Sequence, residues 1–194
     1  MSKLYFRYGA MNAGKSTAIL QVAYNYKERG MEVILIKPTI DTKGDDKIVS
    51  RLGVDRKVDV LLSSSEKVTE KLDFETRINA IIVDEAQFLT KEQVDELYII
   101  SKERNIPVLC YGLRCDFRME PFEGSSRLLQ IADDIEELKT ICECGKKATQ
   151  NLRLVNEKPV FDGDQVGIDN SNLIKYKSVC GKCYIRYRKD YRTD

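Results

Sequence analysis

"YGAMNAGKSTAI", residues 8–19, follows directly on the apolar, aromatic run "KLYFRY" (3–8), and its reading decides the fold. Residues Gly9, Ala10, Met11, Asn12, Ala13, Gly14, Lys15 and Ser16 spell G-x-x-x-x-G-K-[ST]. A strand before this octet and a helix after it are the context a phosphate-cradling loop requires. Glycine permits the tight turn and lets consecutive backbone N–H groups point inward at phosphate oxygens. The helix opening at Lys15 adds its positive dipole end. In such a loop Lys15 neutralises the β- and γ-phosphates of a nucleotide and Ser16 ligates Mg²⁺.

The remaining chain reads outward from that loop. Ile19, Val22, Ala23 and Tyr26 recur at helical spacing, and Gly30 after "KER" ends the helix. "EVILIKP" (32–38) is a buried strand of the parallel-sheet kind. Residues 39–56 are polar and patternless, which predicts a mobile loop. "KVDVLL" (57–62) predicts a strand and 66–72 a short helix. "NAIIVDEAQFL" (79–89) is an apolar strand ending in two acids. Thr90 with Gln93 forms a capping box, and Val94, Leu97 and Tyr98 supply the stripe of the helix behind it. "IPVLCYGL" (106–113) is another buried strand. Strands alternating with helices over 3–135 predict an α/β layer fold with a mainly parallel sheet. After "ELKTIC" come short strands, turns and four of the six cysteines, which puts a boundary near residue 141. Residues 1–140 then form the nucleotide-binding domain and 141–194 a small metal-binding one.

The composition limits the function. The chain has 194 residues, 42% of them apolar, enough for one ordinary domain with an appendage. Lysine and arginine (32) balance aspartate and glutamate (31), so no overall basic field predicts a nucleic-acid partner. The basic end "YIRYRKDYRTD" (184–194) reads as a solvated tail. No apolar run approaches the roughly 20 residues of a membrane span, and the N-terminus lacks the apolar core of a secretory signal. The expected compartment is the cytoplasm, with reduced cysteines. Histidine is absent, which excludes histidine-based nucleophile systems and histidine-liganded metals.

Asp84 and Glu85 close the strand "AIIV". In open α/β sheets ligands bind beyond the carboxyl ends of the strands, so both acids face the phosphate site. Asp84 fits the acid that completes the Mg²⁺ environment, leaving Glu85 to accept a proton from an alcohol as a phosphoryl group transfers. Cys142-Glu-Cys144 and Cys180-Gly-Lys-Cys183 make C-x-C…C-x₂-C. Four thiolates in two close pairs suit structural, tetrahedral Zn²⁺ with no position left for water. Cys110 reads as a small core residue.

Three activities fit these residues. One is a small-molecule kinase. A nucleic-acid-dependent ATPase is the second, since "DEAQ" is similar to helicase acid motifs and zinc ribbons often touch nucleic acid. A switch-type GTPase is the third, weakened because no N-K-x-D stretch is present. "YGAMNAGKST", "VDEAQFL", "PVLCYGLRCDFRMEPF", "ELKTICECGKKA" and "YKSVCGKCY", in that order across residues 3–188, resemble the type II, zinc-containing thymidine kinase family. The resemblance implies a P-loop NTPase (RecA-like) fold with a zinc-ribbon-like C-terminal domain. It also implies transfer of the ATP γ-phosphoryl to the 5′-hydroxyl of thymidine, a homotetramer, and feedback inhibition by thymidine triphosphate (dTTP). By motif position Glu85 matches the family's catalytic base, and Gln87 falls in a nucleotide-contact segment. Phe117 matches the aromatic lining the thymine site, with Met11, Phe88 and Leu113 as apolar neighbours. Cys142, Cys144, Cys180 and Cys183 match the zinc site anchoring a lasso-like loop within 161–176, and Tyr176 its substrate-contacting tyrosine. That loop departs from the family pattern, carrying Asp169-Asn170 and a short insertion where relatives have a Gly-Gly pair. Asn and Asp tolerate left-handed backbone angles, which predicts a similar turn. Lys43 and Arg51, in the predicted mobile loop, are candidates to reach phosphates.

Overall fold

The computed structural model describes residues 1–39, 46–50, 53, 55–165 and 173–191. The chain runs β1 (Leu4–Tyr8), α1 (Lys15–Glu28), β2 (Val33–Pro38), β3 (Lys47–Val49), β4 (Asp55–Lys57), β5 (Val60–Leu62), α2 (Val68–Lys71) and β6 (Ala80–Val83). A 3₁₀ turn (Ala86–Phe88), α3 (Lys91–Glu103), β7 (Val108–Gly112), α4 (Glu123–Ile131) and β8 (Asp134–Glu137) follow. The C-terminal part is β9 (Thr140–Ile141), β10 (Lys147–Ala148), β11 (Gln150–Val155), β12 (Lys158–Val160), β13 (Ile174–Val179) and α5 (Gly181–Tyr191).

Six strands form one sheet in the order β5-β2-β6-β7-β1-β8, and every pairing in it is parallel. Helices cover both faces, which is why β6 and β7 carry no exposed residue. The two-residue period still sorts the side chains. Ile81 and Val83 pack with Val94, Leu97 and Ile100 of α3, while Ala80 and Ile82 pack with Ile19 and Ala23 of α1. The capping box at α3 is formed: Gln93 N–H donates to Thr90 Oγ1 at 3.2 Å and Thr90 N–H to Gln93 Oε1 at 3.1 Å. Among the described residues no helix is long and apolar enough to cross a membrane.

Three stretches differ from the sequence expectation. The patternless segment 39–56 contains an antiparallel pair, β3 with β4, anchored by Ile48 on the α1 side of the core. Among the described residues of this segment Ile48 is the buried apolar one, and its neighbours in sequence show no period to detect. Lys43 and Arg51, like Asp169-Asn170, lie outside the described residues. "KVDVLL" divides into the end of β4, which pairs with β3, and β5, which pairs with β2, and between them the Asp59 carboxylate accepts the Leu35 N–H at 2.7 Å. The basic end is not a solvated tail over its described part. It forms α5, whose Tyr184 is fully buried and donates its hydroxyl to Phe117 O at 2.8 Å.

The C-terminal strands build a second, smaller structure, with the antiparallel sheet β12-β11-β13 beside the hairpin β9-β10. Leu152, Leu154, Phe161, Val179 and Tyr184 form its own apolar cluster together with Cys142, Cys180 and Cys183.

Candidate active site

The octet at 9–16 turns from the end of β1 into α1. Gly14 stands at the helix N-cap with φ 78°, and no side chain caps the helix, so its first N–H groups face the loop. Lys15 folds back over the loop and donates to Gly9 O at 3.3 Å and Ala10 O at 3.0 Å. Burial lowers its pKa, opposed by the charges of Glu85 and then Asp84.

The order β6-β7-β1 places the end of β7 between the acid pair and the phosphate loop. Asp84 is buried. Burial, then the charge of Glu85, pushes its carboxyl up to about 7 against the pull of Lys37 and Lys15. A divalent cation beside it would favour the charged carboxylate, and Ser16 and Asp84 are residues that could hold one. Glu85 adopts the left-handed backbone conformation, φ 52°, uncommon for a residue with a side chain. Its N–H donates to Asp84 Oδ1 at 2.9 Å and its carbonyl accepts from Phe88 N–H at 3.0 Å, which hold the turn. Strain of this kind concentrates where a side chain must be aimed.

Gln87 is buried and spans two elements. Its Nε2 donates to Glu85 Oε2, and its Oε1 accepts the Leu113 N–H at 3.0 Å. Gly112 makes this possible, because a Cβ there would stand 2.7 Å from Gln87 Oε1 and 3.0 Å from its backbone nitrogen. Gln87, which by motif position falls in a nucleotide-contact segment, also holds the Glu85 carboxylate.

The apolar candidates divide. Leu113 and Phe117 are buried just after β7. Phe88 is half-buried and packs edge-on against Phe122, ring centres 5.4 Å apart. Met11 enters through its backbone: its N–H donates to Asn151 Oδ1 at 2.8 Å and its carbonyl accepts from the Ser178 hydroxyl. Tyr176 lies on β13 opposite Arg153 of β11, whose Nε donates to the Tyr176 hydroxyl at 2.8 Å. The Arg153 guanidinium stacks on Phe117, 3.7 Å from the ring centre.

Asn151, Ser178 and Arg153 were not singled out from the sequence. In "QNLRLV" the apolar Leu152 and Leu154 alternate with Asn151 and Arg153. That pattern ordinarily reads as one buried and one solvated face. Here the polar face lies against the phosphate loop and Phe117, so all four residues are buried.

The four cysteine sulfurs of residues 142, 144, 180 and 183 lie within 4.8 Å of one another, with Cys144 and Cys180 3.5 Å apart. Tetrahedral zinc at Zn–S of about 2.3 Å requires sulfurs about 3.8 Å apart, so the cluster fits that ion. Without a metal the four sulfurs share protons unequally: hydrogen bonds, the Cys183 backbone N–H first, hold the Cys180 thiol down to about 6, while the neighbouring sulfurs, Cys144 first, push that of Cys183 up to about 12.

Fold and site together define a P-loop α/β protein with a cluster of four cysteines that could hold a metal ion. A family model described as thymidine kinase matches residues 2–184. A thymidine kinase of Coxiella burnetii is 46% identical over 187 residues, covering 94% of each chain. One of Rhodopirellula baltica is 48% identical over 185 residues, 93% of this chain and 86% of its own. One of Shewanella oneidensis is 47% identical over 187 residues, 94% of this chain and 96% of its own. The chain belongs to the thymidine kinase family.

Proposed function

We infer that this chain transfers the γ-phosphoryl group of ATP to the 5′-hydroxyl of thymidine, giving dTMP and ADP. The observation that carries the mechanism is the bonded link from acid to phosphate loop: Gln87 holds Glu85 and takes the Leu113 N–H, and the adjoining Gly112 carbonyl takes the Gly9 N–H of the loop at 3.2 Å. The N–H groups of 9–16 and Lys15 cradle the triphosphate. Mg²⁺, held by Ser16 and Asp84, supplies charge neutralisation on the phosphate oxygens when bound. Glu85 accepts the proton of the 5′-hydroxyl as that oxygen bonds to the γ-phosphorus and the bond to the β–γ bridging oxygen breaks. Phe117, Leu113, Phe88 and Met11 line the thymine side, with Tyr176 above it.

In this reading residues 1–140 are the nucleotide-binding domain, and 141–194 the zinc domain bearing the loop that covers substrate. dTTP inhibits, the assembly is a homotetramer, and the work is done in the cytoplasm, where thiolates stay reduced for zinc. The test is a direct assay of thymidine, deoxyuridine and deoxycytidine with Mg·ATP. Formation of ADP that depends on thymidine supports the reading. ATP turnover that rises with RNA or DNA and ignores nucleosides overturns it.

A further inference from the structure

Arg153 is only 5% exposed, and no carboxylate among the described residues forms an ion pair with it. Burying a cation without a counter-charge is costly, and an aliphatic residue would fill the same strand position without that cost. Its guanidinium satisfies itself otherwise. One face lies on Phe117, and the same group is 5.4 Å from the Tyr176 ring centre. Its edge donates through Nε to the Tyr176 hydroxyl at 2.8 Å, through Nη1 to Asp164 O at 2.9 Å and through Nη2 to Gln165 O at 3.3 Å. Those two carbonyls belong to the segment between β12 and β13.

Further bonds hold residues 163 and 165 nearby. Arg118 donates to Gly163 O at 2.9 Å and is itself held by the buried Asp116, while Gln165 Nε2 donates to Pro121 O at 3.1 Å. The Arg118 and Gln165 bonds sit at the rim and are exposed. Among the described residues, only Arg153 reaches both the backbone at 164–165 and the aromatic ring at 117 from a buried position.

We propose that Arg153 is a positioning residue for the nucleoside: by stacking on Phe117 while forking onto Tyr176 and the carbonyls of Asp164 and Gln165, it fixes those residues against the base side of the site and so sets thymidine affinity. A planar fork with a stacking face is the property used, and a lysine ammonium has neither. The proposal rests on the thymidine-kinase reading of the site.

The experiment compares wild type, Arg153→Met and Arg153→Lys in steady-state thymidine phosphorylation, with zinc content measured for each. Hydrogen exchange of residues 161–165 is followed without nucleoside. The expected result is a thymidine KM raised about 10- to 100-fold in Arg153→Met, with the ATP KM within about twofold and kcat less affected. Arg153→Lys recovers little of the loss, and 161–165 exchange faster in both variants. A thymidine KM within about threefold of wild type, in either variant that keeps its zinc, overturns the proposal. If Arg153→Met does not fold, Arg153→Lys decides by the same criterion. A wild type that ignores thymidine overturns the reading of the site instead, and unchanged exchange at 161–165 still refutes the tether on its own.

Discussion

Gln87→Leu separates a holder of the base from a contact to nucleotide. Gln87 gives one hydrogen bond to a carboxylate, Glu85, and takes one from a buried backbone N–H, that of Leu113. Leucine fills similar volume and makes neither. An orphaned buried N–H costs about 1–3 kcal/mol, and a hydrogen bond to a charged group is worth about 1.5–3 kcal/mol. Added apolar burial returns part of this, leaving a net loss of about 2–4 kcal/mol. At about 2–4 °C per kcal/mol for a chain of this size, Tm falls by about 4–16 °C. The kinetic signature is more specific. Glu85 keeps its left-handed turn, which rests on Asp84 and Phe88, but loses the group that fixes its carboxylate. We expect kcat to fall about 10- to 100-fold while the KM for ATP stays within about twofold. The assay is steady-state ADP release well below the lowered Tm. A normal kcat with a raised ATP KM would refute the argument and return Gln87 to the nucleotide.

The pH dependence of nucleotide binding follows from Asp84, whose carboxyl is pushed up to about 7 from an ordinary 3.8. The folded, ligand-free protein holds more protons than the unfolded chain between those values, so this group's contribution makes stability fall as pH rises from about 4 to 7. Binding of Mg·nucleotide requires the charged form. Affinity should therefore rise with pH up to about 7, with release of about half a proton per chain at pH 7, and Asp84→Asn should abolish the release. Calorimetry in buffers of different ionisation enthalpy measures it, and no proton release in wild type contradicts it. Zinc loss should reach the phosphate loop, because Ser178, two residues before Cys180, and Asn151 hold Met11. Cys183→Ser should carry well under about one zinc per chain and bind ATP more weakly. Full ATP affinity in a zinc-free protein would contradict that coupling.

How much of this was legible beforehand depended on whether a signal was local. The octet at 9–16, the capping box at Thr90 and the uniformly apolar β6 and β7 each announce themselves within a few residues. The cysteine pairs did too, because metal chemistry fixes their spacing, and the structure brings the four sulfurs together. Ile48 did not, since one anchor has no period. Arg153 and Asn151 were hidden for another reason. Their polar strand face looks solvated in sequence and becomes interior only once the small C-terminal sheet is laid against the phosphate loop. Tyr184 was missed similarly, one buried phenol in a run of cations whose helix turns it inward. The role of Gln87 needed Gly112, twenty-five residues away in sequence and one close contact away in space.

The central claim is that the carboxylate of residue 85 takes the proton from the attacking sugar alcohol. Glu85→Gln preserves the side-chain shape and removes the basic oxygen. Its kcat with thymidine and Mg·ATP, measured at saturating concentrations of both, is predicted to fall by about 10²–10⁴-fold with little change in either KM. A variant that folds normally and retains more than about a tenth of the wild-type kcat contradicts the account.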